Sequence, residues 1–160
     1  MVVIPFCEIV YSFNLLISIL LLYRLHKVIN VKTARLMFIG TLLVSFWLLM
    51  ETLTCYIHVK EFAIIFQKLK FISVMFIPPL YLLLADEYSN NKYRIFRYKP
   101  IFFLVPILSF LSLLTNQIPY KFFSNINLVY IDQIPVFSYY ANIGFLIHTL
   151  YSYGIILSVC

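Results

Sequence analysis

Residues 34–57 read ARLMFIGTLLVSFWLLMETLTCYI, and residues 62–85 read FAIIFQKLKFISVMFIPPLYLLLA. Each stretch is long enough, as a helix, to cross the hydrocarbon of a bilayer. Only His58–Glu61 separates them, so they read as an antiparallel helical hairpin. Each carries charge where lipid would lie: Glu51 in the first stretch, Lys68 in the second. Ionisable groups at that depth are costly and persist where they face a partner, a cavity or a ligand. The turn falls near Val59–Lys60. At 1.5 Å per residue, Glu51 and Lys68 each lie roughly 13 Å from it. The expectation is an intramembrane Glu51–Lys68 pair at one depth. That pair either orders a ligand pocket or simply locks two helices together. Trp47, Thr54 and His58 share the helical face of Glu51. Gln67 and Lys70 neighbour Lys68, but Lys70 points elsewhere on the wheel and is left without an assigned partner.

Working outward, residues 3–23 form a first apolar stretch, residues 100–115 a short fourth and residues 140–159 a fifth. The expected fold class is therefore all-α, a polytopic transmembrane bundle of about five spans. Composition agrees. The 160 residues are 63% hydrophobic and 11% charged, with mean hydropathy +0.96. A soluble domain is about one quarter charged. Disordered chains are poor in aromatics, whereas this one has 16 Phe and 13 Tyr.

The net charge of +6 reads as topology rather than as affinity for nucleic acid. Arg24, Lys27, Lys32 and Arg35 flank the first loop. Lys92, Arg94, Arg97 and Lys99 fill the third. Lys60 and Lys121 stand alone in the second and fourth. Basic residues accumulate on the cytoplasmic side. The N-terminus is thus expected outside, with the loops near 24–35 and 86–99 cytoplasmic. The same basic segments also suit anionic lipid heads. Residues 1–8 lack a basic n-region, so no cleavable signal peptide is read there.

Several polar or helix-bending residues stand out. Pro78-Pro79 in the third span and Pro106 in the fourth predict kinks. They serve either as hinges or as static bends. His148, Tyr151 and Ser152 share a stripe on the fifth span. His148 lies about ten residues into its helix, hence roughly 15 Å deep, near the depth of Glu51 and Lys68. A polar layer from three helices is geometrically open, and the alternative is a histidine hydrogen-bonded inside the bundle. Asn116–Tyr139 is a long aromatic connection with Pro119 and Pro135. Its Tyr120, Phe122, Phe123, Tyr130 and Phe137 suit a membrane interface; a short hairpin or lid is open there, but the alternation is too weak to assign strands. Cys7, Cys55 and Cys160 have no metal-site spacing. No nucleophile with a base, phosphate loop or dinucleotide turn is present in the sequence. The reading is therefore no enzyme, no cofactor and no metal.

Trp47 and Glu51, then Lys68, Phe71, Ile77-Pro78-Pro79-Leu80, Leu84 and Tyr88, then Val105-Pro106 and His148 with Tyr151-Ser152-Tyr153 form an ordered set. Together they resemble the N-terminal seven-transmembrane region that precedes many bacterial sensor histidine kinases and diguanylate cyclases. The resemblance covers the first five of seven spans. It lacks the last two spans, the output module and the tryptophan that often accompanies the family's Gly-Pro-aromatic stretch. It implies a fragment spanning residues 1–160: a signal-input region in a bacterial cytoplasmic membrane that relays a stimulus to a kinase or cyclase module carried elsewhere. The partners it implies are the bilayer, an output module or a second copy, with the ligand unknown. The alternative from the residues is a small transporter or export component, with the polar layer lining a substrate route.

Overall fold

A computed structural model describes residues 6–56, 59–89, 100–115, 122–131 and 134–159. Five helices follow in order: α1 Phe6–His26, α2 Lys32–Tyr56, α3 Lys60–Tyr88, α4 Leu104–Thr115 and α5 Ile143–Val159. Two strands, β1 Phe123–Ile131 and β2 Ile134–Ala141, lie between α4 and α5. The helices match the expected spans to within a few residues at most ends. The connection holds the short hairpin that its sequence left open, and α5 starts at Ile143 where the span was expected from Tyr140. Among the described residues, three helices are long and apolar enough to cross a membrane: those over Glu8–His26, Lys32–Tyr56 and Glu61–Tyr88. The segments Pro100–Thr115 and Ile143–Ser158 are shorter apolar helices.

Local chemistry sets the boundaries. Arg24 and His26 occupy the last turn of α1, where cations complement the helix dipole. Successive backbone bonds from Lys27, Val28 and Ile29 to Arg24, Leu25 and His26 then tighten the chain into the turn. At its far end α3 closes with the Ser89 N–H on Ala85 O, while Ser89 Oγ donates to Asp86 O.

α3 is the centre of the bundle. It packs on α2 along one side and on α4 and α5 along the other, and α1 leans on α2. Ser45 Oγ lies 2.9 Å from Ser18 Oγ and pins α1 to α2. Lys32 on α2 forms an ion pair with Glu87 at the end of α3.

α3 runs as one helix through Pro78-Pro79. Neither proline has an N–H, so the carbonyls of Val74 and Met75 lose their donors four residues on. Pro106 is a correction to the expected mid-span kink. It falls in the first turn of α4, just after a 3₁₀ segment at 100–103. An N–H in a first turn has no partner within its own helix, so proline is tolerated there.

The hairpin is antiparallel, with Phe123 opposite Ala141 and Ile131 opposite Ile134, and its register shifts between Ser124 and Asn127. The Asn142 N–H donates to Phe122 O at 3.2 Å, and Asn142 Nδ2 donates to Ser124 Oγ at 3.2 Å. The start of α5 is thereby tied to the base of the hairpin. Phe122 and Phe123 are buried with Phe71, Met75 and Leu113 in one cluster, against which Phe110, Tyr139 and Phe145 pack. A second cluster joins Leu82 and Ile155, with Phe102 and Tyr151 beside them.

Candidate functional site: a buried ion pair beneath an aromatic cluster

The α2–α3 hairpin brings a carboxylate and an ammonium together, but the lysine is not the expected one. Lys70 Nζ lies 2.8 Å from Glu51 Oε1. Gln67 Nε2 donates to Glu51 Oε2 at 3.1 Å. Both carboxylate oxygens are thus occupied, by residues three apart on one face of α3. The expected Glu51–Lys68 pairing is therefore corrected. Rise along the helix places Lys68 and Lys70 at nearly the same depth. Rotation separates them, since each residue turns a helix by about 100°. The face of α3 that meets α2 carries Ala63 and Gln67, and Lys70 follows Gln67 at the three-residue spacing. Lys68 is half-buried on another part of the circumference.

Both partners are shielded, with side-chain exposures of 18% for Lys70 and 14% for Glu51. Thr54, one turn on from Glu51, is fully buried and donates to Met50 O at 2.7 Å. Trp47 is half-buried on α2. His58, the remaining member of that face, lies outside the described residues, as do the basic residues of 90–99, the connection 116–121 and Cys160. Gln67 Oε1 is a buried acceptor with no donor among the described residues.

The pair abuts the aromatic cluster. Lys70 Nζ lies 5.6 Å from the centroid of the Phe71 ring. Phe71 stands 4.9 Å from Phe123, 6.2 Å from Tyr139 and 6.3 Å from Phe145. Phe123 and Tyr139 come from the two strands, and Phe145 from the first turn of α5. Contact therefore runs from the hairpin through Phe71 to Lys70 and Glu51. Sequence reasoning missed this cluster. The available signal was the adjacent pair Phe122-Phe123, too dense in aromatic surface for an exposed loop.

His148 forms a second polar centre, on α5. Ser152 Oγ donates to His148 O at 2.8 Å and lies 3.3 Å from His148 Nε2. In the Nε2–H tautomer the hydroxyl, its proton given to the carbonyl, accepts from the ring, and Nδ1 is then the bare nitrogen. Nδ1 is buried and has no partner among the described residues. The His148 and Tyr151 rings stand 6.1 Å apart. Among the described residues no hydrogen bond joins this centre to Glu51, because α3 lies between α2 and α5. Glu51 and His148 thus belong to two separate polar centres among the described residues.

Tyr151 has a specific task. Pro106 cannot donate to Phe102 O, four residues earlier, and the Tyr151 hydroxyl donates to that carbonyl from α5. Tyr151→Phe removes the donor and keeps the ring. The expected result is a loss of about 1 kcal/mol, read as a lower thermal midpoint in detergent. An unchanged midpoint would mean that another donor serves Phe102. Among the described residues, no group of three or more His, Cys, Asp and Glu converges as a metal site.

The family model for the N-terminal 7TM region of histidine kinase matches residues 10–160. No curated protein and no solved structure matches the chain.

Proposed function

The chain belongs to the family of N-terminal seven-transmembrane regions of histidine kinases, and from that premise we propose that it receives a stimulus in the membrane and relays it to a cytoplasmic histidine kinase or diguanylate cyclase module. The five helices are read as the first five spans of the region, without catalysis of their own. In this reading the N-terminus faces outward, with the loops near 24–35 and 86–99 in the cytoplasm. The β1–β2 hairpin then lies on the outer face, where a stimulus arrives.

The observation that carries the proposal is the unbroken contact from hairpin to ion pair: Phe123 and Tyr139 on Phe71, and Phe71 beside Lys70. An input that shifts the hairpin changes the packing of Phe71, and with it the geometry of Lys70 on Glu51. A ligand alters signalling only through a difference in affinity between two bundle packings. Buried acceptors suit such a ligand. Gln67 Oε1 awaits an N–H or O–H donor, as does His148 Nδ1 in its Nε2–H tautomer, and an unmet buried acceptor costs about 1–3 kcal/mol. Glu51, Gln67 and Lys70 form one binding centre in this reading, with Trp47 and Lys68 at its margin. His148 and Tyr151 form the other. Pro78-Pro79 is the proposed bend through which α3 passes movement toward the basic end of the bundle.

The test joins the chain to a histidine kinase module and follows autophosphorylation in native membranes. Phe71→Leu and Glu51→Gln are each expected to shift the kinase between its low and high states by several-fold. A single cysteine at Ser138 should react with an impermeant maleimide from outside the cell. Kinase activity indifferent to both substitutions would refute the relay. Labelling of Ser138→Cys only after lysis would refute the orientation.

A further inference from the structure

Pro78 and Pro79 follow Met75 at the third and fourth positions. A helix offers each carbonyl the N–H four residues on, or three in a tighter turn, and here both residues are proline. The Met75 carbonyl is thereby freed inside α3, at a residue that is fully buried. Two further polar groups are unmatched on the neighbouring helices. Ser109 Oγ on α4 and His148 Nδ1 on α5 belong to residues 0% and 5% exposed, and neither has a partner among the described residues.

The two hydrophobic clusters place these three groups at one level. The cluster of Phe71, Met75 and Leu113, with Phe110 and Phe145 against it, joins α3, α4 and α5. The cluster of Leu82 and Ile155, with Phe102 and Tyr151 against it, joins α3, α5 and the approach to α4. Met75 precedes Leu82 by seven residues, His148 precedes Ile155 by seven, and Ser109 follows Phe102 by seven. Seven residues make two turns, rise roughly 10 Å and return to nearly the same face. Measured from the other cluster, Met75 is four residues from Phe71, Ser109 four from Leu113 and His148 three from Phe145. The three groups therefore share a layer between the clusters, on the faces by which α3, α4 and α5 pack on one another.

Unmatched groups in such a layer cost about 1–3 kcal/mol each. A buried water typically makes about three hydrogen bonds to groups of this kind. Ordered water is also one of the means by which membrane helices tolerate proline. One water here accepts from the Ser109 hydroxyl and donates to Met75 O and His148 Nδ1. In the other His148 tautomer the ring donates to the water, whose second proton goes to Ser109 Oγ. Either set is complete.

We propose that the α3–α4–α5 junction is a binding site for internal water, held by Ser109 Oγ, His148 Nδ1 and the Met75 carbonyl. The water completes the backbone at Pro78-Pro79 and joins that bend to His148. The site follows from the packing of three helices and does not depend on the signalling role. Its competitor is a dry junction, in which Ser109 Oγ turns back to Val105 O.

The experiment is X-ray radiolysis of the full chain in nanodiscs. Radicals formed from a bound water oxidise the side chains beside it even where bulk solvent is excluded. Oxidised peptides are mapped by mass spectrometry and normalised to the exposed Tyr88. Met75 and His148 are expected to be oxidised despite their burial. Ser109→Val removes the hydroxyl and fills the layer with hydrocarbon, and should lower both signals about fivefold. Met50, buried on α2, should not change. Met75 and His148 that stay unoxidised in the wild type overturn the proposal in favour of the dry junction. Oxidation that survives Ser109→Val places the water elsewhere and overturns it too. Should valine loosen the bundle, seen as a rise at Met50, Ser109→Ala decides by the same criterion, since it removes the hydroxyl without adding bulk.

Discussion

Replacing Lys70 by methionine is expected to cost the bundle about 1–3 kcal/mol, because it leaves the part-buried Glu51 carboxylate without its cation. The same change at Lys68 should cost far less, since Lys68 is not the partner of that carboxylate. Methionine keeps much of the aliphatic length in both cases, so lost packing does not account for the difference. Glu51→Gln is the milder reciprocal change. It removes the charge and still offers Gln67 an acceptor, but it leaves the Lys70 ammonium without its counter-charge. The exchange Glu51→Lys with Lys70→Glu should recover part of the loss by rebuilding the pair in the opposite sense. Thermal unfolding of the helical signal in detergent measures the series, and a double-mutant cycle isolates the coupling. Equal losses at Lys68 and Lys70 would refute the assignment.

This prediction also marks where sequence reasoning stopped. Depth was legible: a short turn and a fixed rise per residue place residues near 51 and near 68–70 at one level. Azimuth was not. Lys68 and Lys70 differ by about 200° around α3. Choosing between them requires knowing which face meets α2. The stripe Ala63, Gln67, Phe71 holds that information, and Lys70 falls beside it. In an apolar chain this stripe is obscured, because lipid-facing and bundle-facing residues are equally hydrophobic. Ile65, Tyr81 and Tyr88 are exposed and Met75 is buried, yet composition does not separate them.

Helix positions were legible for a related reason. Long apolar runs bounded by charge admit few interpretations in lipid. The hairpin was harder. Its register shifts between Ser124 and Asn127, and Phe122, just before β1, is buried together with its neighbour Phe123, which opens the strand. The alternation that would reveal a strand is therefore obscured where the chain enters β1. Of the two readings of His148, the structure favours the histidine hydrogen-bonded within the bundle. Equal depth is a condition for contact, but α3 stands between α2 and α5. His148 and Glu51 meet different neighbours even at a shared level.

The second large effect is expected at Phe123. An isolated two-stranded hairpin is at best marginally stable, so this one depends on what it packs against. Phe123 is 1% exposed, with ring centroids 4.4 Å from Tyr139, 4.7 Å from Phe122 and 4.9 Å from Phe71. Phe123→Ala should cost about 3–5 kcal/mol by leaving a cavity at that junction. The loss should be local. Amide exchange across Phe123–Ala141 is expected to rise by about two to three orders of magnitude, with a smaller rise around Phe71 and Lys70, which the cluster contacts, and none along the rest of α2 and α3. Val129→Ala, at an exposed position of the same strand, is the control and should leave exchange nearly unaltered. Alkali provides an independent probe of the same junction. Burial raises the Tyr139 phenol above its usual 10.0, so the folded hairpin favours the neutral ring. That contribution is complete below pH 10 and disappears as pH climbs through the raised value. Base should therefore loosen the hairpin in the wild type, and Tyr139→Phe should lessen the effect. Exchange that stays slow in Phe123→Ala would show that the strands hold themselves together. Global unfolding of the variant would show that the hairpin is part of the bundle core, and the proposed input element would lose the independence on which its role depends.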